Sequence, residues 1–247
     1  MRLRSGVYGA LGCGLLLLGW ELAGRSGALG KTLPSLREVA AVYAQAPRRA
    51  LLVRSAAATV GAALTGFGVG TAAGVLVAVL AHLVPPMRQG LDRLAVLVNA
   101  LPVIVLGPVL IITVGRRGTP AALAAVPVFF LLYSATSTGL RGASRSLDLV
   151  LTTLGATRGQ RLFRLEAVAA LPPVISGMKI AAGSAMIGAI VGEWFGAPTG
   201  LGIVVLNSMQ NFQIPLMWAT VLVIAAITLL SYGVLTSIER AVRQRLS

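Results

Sequence analysis

Carboxylates are scarce in this chain: 7 Asp and Glu stand against 21 Lys and Arg in 247 residues, and charged residues are only 11% of the total. That leaves no paired acids for general acid and base work and too little polar surface to cover a water-exposed globule. A single cysteine, Cys13, excludes an intrachain disulfide and a thiolate metal site. One histidine, His82 at the end of an apolar run, forms no metal cluster with its sequence neighbours and reads as an interfacial residue. Aromatics are 5% of the chain, and no basic patch is interleaved with them, so the net charge of +14 does not indicate nucleic acid.

What is abundant is apolar. Hydrophobic residues make up 56% and the mean hydropathy is +0.86, the composition of an integral membrane protein. The basic residues fall between and beside the apolar runs, where lipid phosphates favour them and where they set topology. The pattern predicts an all-α polytopic membrane protein, one domain over 1–247, with about six spans. They are expected near 6–23, 55–84, 94–114, 120–140, 174–194 and 215–238.

The joints between spans carry their own signals. Gly24-Arg25-Ser26-Gly27-Ala28-Leu29-Gly30-Lys31-Thr32 resembles a phosphate loop only superficially: that pattern needs Gly where Arg25 stands, and no buried strand precedes it. Residues 33–54 place Val39, Val42 and Tyr43 at helical spacing beside Arg37, Glu38, Arg48 and Arg49, predicting an amphipathic helix on the membrane surface. Gly66, Gly70 and Gly74 at four-residue spacing predict a close helix contact. Residues 85–93 and 115–118 read as turns, and 196–212 as a glycine-containing loop. Asn99, Pro102, Gly107 and Pro108 interrupt the third span, which makes it a candidate pathway lining or a packing kink.

One long polar interruption remains, at 144–173. Leu147, Leu149, Val150, Leu154, Leu162 and Phe163 alternate with Asp148, Thr152, Arg158, Arg161 and Arg164, and Gly155 divides the stretch. The expected result is two short helices meeting at a glycine elbow, with apolar tips suited to a groove on a partner. With a cytoplasmic N-terminus this elbow and the C-terminal tail both lie inside. Twelve arginines then face the cytoplasm (2, 4, 88, 93, 141, 145, 158, 161, 164, 240, 243 and 245) against eight basic residues outside, six of them within 25–54.

The elbow resembles the cytoplasmic signature loop of binding-protein-dependent ABC importer permeases, in Leu154-Gly155-Ala156-Thr157-Arg158, Phe163-Arg164, Leu171-Pro172, Gly177 and Lys179. Leu33-Pro34-Ser35, Gly192-Glu193 and Gly200-Leu201-Gly202 extend the likeness, which is greatest for the branch importing sulfonates, taurine, nitrate or thiamine-precursor pyrimidines. Two positions depart from the pattern: Leu149-Val150-Leu151 stands where the acidic-Ala-Ala triplet is usual, with Asp148 one place earlier, and Ala167-Val168 replaces the first Leu-Pro.

The resemblance implies a type I importer permease fold and a coupling helix that docks a separate ATPase, through Leu154, Gly155, Ala156, Arg158, Arg161 and Phe163. It implies no enzyme activity and no cofactor in this chain, ATP and Mg belonging to the ATPase. The implied partners are two ATPase subunits, an extracytoplasmic binding protein, a second permease copy making a homodimer, and the lipid of the inner membrane. Polar groups near membrane depth, Asn99, Lys179, Ser184 and Glu193, are the pathway candidates. Against them stand ordinary roles: Lys179 snorkelling to the cytoplasmic interface, and Glu193 capping a helix or pairing with Arg116 or Arg117. The alternative function is an ion-coupled secondary transporter, which needs inverted repeats or several buried acids that the sequence does not display.

Overall fold

The computed structural model describes residues 2–27 and 30–246, and among these it contains ten α-helices joined by short 3₁₀ and π turns, with no strand. In order they are α1 (Arg2–Ser26), α2 (Leu36–Ala44), α3 (Ala46–Leu83), α4 (Pro85–Ala100), α5 (Gly107–Arg141), α6 (Arg145–Thr153), α7 (Arg158–Arg161), α8 (Ala167–Glu193), α9 (Leu201–Gln210) and α10 (Ile214–Leu246). A π turn, Leu162–Glu166, makes α7 and α8 continuous. Among the described residues four helices are long and apolar enough to cross a membrane: Ala46–Leu83, Val103–Arg141, Arg158–Glu193 and Ile214–Val242.

α5 is the centre of the bundle, held between α3 and α8 by small residues. A Cβ on Gly66 would stand 2.4 Å from the Ala121 carbonyl oxygen, one on Gly70 2.6 Å from that of Ala125, and one on Gly74 2.6 Å from that of Phe129. From the other side, a Cβ on Gly188 would meet the Leu123 carbonyl oxygen at 2.6 Å and one on Gly192 the Pro120 Cα at 2.5 Å. Between these faces Leu123, Ala124, Val128 and Leu132 are fully buried. Lipid is as apolar as leucine, so close backbone approach replaces the hydrophobic drive available in water. The Gly66-Gly70-Gly74 face is therefore filled within the chain and is not available to a second copy, as the sequence had left open.

Several expected boundaries move. Residues 85–93 are not a turn but the first half of α4. Val84, before Pro85, takes φ −118 and ψ 80, and Leu101, before Pro102, takes φ −72 and ψ 125. A residue preceding proline is pushed out of the helical region, so α3 and α4 end at these two places. The expected third span, 94–114, is thereby split into the end of α4, a 3₁₀ turn at Val103–Leu106 and the start of α5. The expected loop at 115–118 contracts to Gly115 alone, at φ 74 and ψ 169. The loop at 196–212 contains α9, and the C-terminal tail continues α10.

The surface helix expected over 33–54 is two helices meeting at Gln45. Ser35 and Glu38 cap α2 reciprocally. Its apolar face is covered by protein instead of lying on lipid: Val39 and Val42 are buried with Leu201, Leu216 and Ala219, and the Tyr43 hydroxyl donates to the Ala219 carbonyl at 2.7 Å. Burial raises the Tyr43 phenol above its ordinary pKa. α1 attaches at the same end, where Trp20 meets Trp218 edge-on at 4.8 Å and the Leu36 amide donates to Glu21 at 2.7 Å. The rest of α1 exposes Leu15, Leu16, Leu18 and Leu22.

Candidate functional site

The elbow begins at the foot of α5. α6 closes in a Schellman arrangement: the Gly155 amide donates to the Thr152 carbonyl at 3.0 Å and the Ala156 amide to that of Leu151 at 2.9 Å. Gly155 sits at φ 77, a conformation that glycine adopts without strain. α7 then starts with a second capping box, in which Thr157 Oγ1 accepts from the Gln160 amide while the Gln160 side chain accepts from the Thr157 amide. Thr157-Arg158-Gly159-Gln160 has the spacing of that motif, so this joint was readable from the residues.

A clasp locks the angle between the two arms. Arg161 Nη1 donates to Asp148 Oδ1 at 2.9 Å, to Oδ2 at 3.2 Å and to Thr152 Oγ1 at 3.1 Å. Of the six elbow residues, Arg161 is thus held inside the loop, while Leu154 (76% exposed) and Phe163 (75%) stand free at its tip with Gly155 and Arg158. Ala156 is half-buried. Asp148, whose part was left open, supplies the anchoring carboxylate one place ahead of the usual triplet. The Glu166 carboxylate in the π turn meets His82 Nε2 at 2.8 Å, which ties the elbow's base to the end of α3. This partner of His82 was hidden by distance, since 84 positions separate the two.

The four pathway candidates do not form one site. Glu193 is 1% exposed; its Oε1 accepts from Thr59 Oγ1 at 2.6 Å and its Oε2 from the Gly202 amide at 2.6 Å. Thr59 Oγ1 also accepts from the Leu201 amide at 2.8 Å. Glu193 is therefore a pin joining α8, α3 and the start of α9, its carboxylate bonded to these groups and not to Arg116 or Arg117. The pin explains the glycines beside it, since a Cβ on Gly200 would lie 2.1 Å from Glu193 Cδ and one on Gly202 2.5 Å from the Ile190 carbonyl oxygen.

Lys179 lies about 20 Å from Glu193 along α8 at the standard helical rise. Instead of snorkelling it pairs with Glu239 of α10, which also accepts from Ser176 Oγ at 3.0 Å, and it stands 5.6 Å above the Tyr232 ring. Ser184 lines a shallow groove of about 200 Å³ with Val103, Ile104, Pro127, Ile187 and Val191. Asn99 is exposed in the last turn of α4. Thr59 and Glu239 went unnoticed as partners because neither belongs to a local motif.

The described residues thus form an apolar bundle with helices of membrane-spanning length, interrupted by a clasped helix-glycine-helix elbow. The chain belongs to the family of binding-protein-dependent transport system inner membrane components, whose model matches residues 70–246. It is 29% identical over 183 residues to the formylaminopyrimidine transport permease ThiX of Halalkalibacterium halodurans, covering 72% of this chain and 73% of that one. It is 32% identical over 228 residues to the riboflavin transport system permease RibX of Chloroflexus aurantiacus, covering 92% and 85%. A putative aliphatic sulfonates transport permease, SsuC of Bacillus subtilis, is 26% identical over 72% of this chain and 65% of its own length.

The fold is shared with a chain of the inward-facing MetNI methionine ABC transporter, at a TM-score of 0.70 and 18% identity over 80% of this chain and 99% of that one. The protein is thus an ABC importer permease subunit, a multi-pass inner-membrane protein of a non-enzymatic family.

Proposed function

We propose that this subunit lines the pathway of an ATP-driven importer and that the elbow at 144–173 docks a separate ATPase subunit. The observation that carries this is a row of apolar side chains standing free on a rigid, otherwise polar element: Leu147 (54% exposed), Leu149 (61%), Val150 (53%), Leu154 (76%) and Phe163 (75%). Such a surface marks a protein contact. The Arg161–Asp148 clasp keeps the elbow rigid, α7 runs unbroken into α8, and Glu166 holds the end of α3. A push on the elbow therefore tilts α5 and α8 together and drags α3 with them, and the pathway opens to alternate sides.

In this reading the elbow and both termini lie in the cytoplasm, a binding protein delivers solute at the opposite end, and a second copy completes the pathway. The ATP and Mg belong to the ATPase. The solute is small and polar or anionic, such as a sulfonate, nitrate or a pyrimidine thiamine precursor; the names of the relatives, which span formylaminopyrimidine, riboflavin and sulfonates, support a small solute. Exposed leucines of α1 meet lipid.

The test is to tag the chain, extract it in mild detergent and identify what co-purifies. An ATPase subunit is expected with the wild type and is expected to be lost with Gly155→Pro and with the surface pair Leu154→Asp and Phe163→Asp. Retention of the ATPase by the surface pair, or solute uptake driven by an ion gradient without ATP, overturns the reading.

A further inference from the structure

At the end of the bundle opposite the elbow, α3, α9 and the α9–α10 turn enclose a pocket of about 320 Å³. Its polar lining includes Arg54, Thr199, Asn207, Ser208, Asn211 and Gln213, and among the described residues Arg54 is the only charged one there. Among the described residues no carboxylate pairs with Arg54. Ser208 is 2% exposed, and its hydroxyl has no hydrogen-bond partner among the described residues, although its carbonyl accepts from the Gln213 amide at 2.8 Å. A buried hydroxyl left without a partner is costly, and native structures rarely leave one so without a ligand or water to fill the place.

The Glu193 carboxylate lies behind Gly200, at this wall. It is 1% exposed, with its oxygens engaged by Thr59 and Gly202, so the pocket itself presents a cation, hydroxyls and amides and no open carboxylate. We propose that this pocket binds a small solute bearing an oxyanion, the Arg54 guanidinium supplying the charge and the Ser208 hydroxyl a hydrogen bond from the buried wall. Guanidinium recognises carboxylate, sulfonate and phosphate groups by charge-assisted, frequently bidentate hydrogen bonds. Ile203, Val204, Leu51 and Leu216 also line the pocket and suit a short apolar tail. The pocket's place at the solute-entry side rests on the importer reading; its chemistry does not.

The full chain in nanodiscs of neutral phosphatidylcholine is titrated with radiolabelled sulfate and, in competition, with ethanesulfonate. Saturable sulfate binding is expected, displaced by ethanesulfonate. Arg54→Gln, which alters an exposed side chain, is expected to weaken it about tenfold or more and Ser208→Ala severalfold, while Arg164→Gln on the elbow leaves it unchanged. Loss of sulfate binding when phosphatidylglycerol is added, restored by dilution of that lipid, supports the site with a headgroup phosphate as its occupant. Absence of saturable binding, or binding that Arg54→Gln leaves intact, overturns the proposal. The assay requires no ATPase: a chain that binds the anion but recruits no ATPase refutes the importer reading alone, and one that recruits ATPase but binds no anion refutes the pocket alone.

Discussion

Replacing Glu193 separates a structural pin from a pathway residue. In Glu193→Ala the Gly202 amide, 2.6 Å from a carboxylate oxygen, loses its acceptor in a site that is 1% exposed, while the Thr59 hydroxyl keeps the Ser55 carbonyl at 3.1 Å. Leaving one buried donor unsatisfied costs about 1–3 kcal/mol, and the cavity left by the side chain adds a loss of similar size. For a chain of this size that corresponds to a fall of on the order of 10 °C in the unfolding midpoint. Glu193→Gln keeps the volume and one acceptor but turns an amide NH₂ toward a donor, so about half the loss is expected. The readout is thermal stability in detergent by fluorescence-detected gel filtration, beside uptake in cells. The pin predicts that stability falls in the order wild type, Gln, Ala, and that uptake falls only as far as folded protein does. A Glu193→Ala protein that melts with the wild type yet transports nothing would refute the argument and return Glu193 to the pathway.

Gly70→Val would drive a side chain into the Ala125 carbonyl and Val128, costing about 1–3 kcal/mol or misfolding the α3–α5 pair. Gly68→Ala, with open space around it, should leave the yield of monodisperse protein unchanged. Thr157→Ala removes the capping box of α7, worth about 1 kcal/mol, and is expected to speed tryptic cleavage within the elbow while the bundle's melting is barely altered. At the partly exposed Arg161–Asp148 clasp, Asp148→Asn should cost under about 1 kcal/mol in melting yet lower ATPase co-purification; unchanged recruitment would show that the clasp does not set the elbow's shape. For Lys179 and Glu239, Glu239→Gln strands a cation that is 16% exposed and is expected to destabilise by a few kcal/mol, whereas Lys179→Met combined with Glu239→Gln recovers much of that in the same melting assay.

Legibility followed sequence distance. The elbow was readable because its parts are local: Gly155 as a helix stop, and apolar residues alternating with arginines over a single stretch; the Thr157–Gln160 cap, equally local, went unread. The small-residue face of α3 was readable as a face, but nothing in Gly66, Gly70 and Gly74 says whether the approaching backbone belongs to α5 or to another chain. The α4 break was visible as Pro102, while the helix over 85–93 was hidden by polar residues that resemble a turn. The Glu193 pin was out of reach, since Thr59 is 134 positions away and a threonine in an apolar run carries no mark of its partner.

The scarcity of carboxylates acquires a structural meaning once all seven are placed. Glu21 receives the Leu36 amide and joins α1 to α2, and Glu38 caps α2. Asp92 accepts from the Tyr133 hydroxyl at 2.6 Å and joins α4 to α5. Asp148 clasps Arg161, Glu166 meets His82, Glu193 binds Thr59 and Gly202, and Glu239 holds Lys179 and Ser176. Six of the seven thus connect different parts of the chain. An ion-coupled transporter needs acidic groups free to take up and release the coupling ion, whereas here every acid already serves a helix joint or cap. That arrangement supports the proposed importer reading, in which the work of transport enters from outside the bundle through the elbow, with its exposed apolar side chains and its connection to α3, α5 and α8.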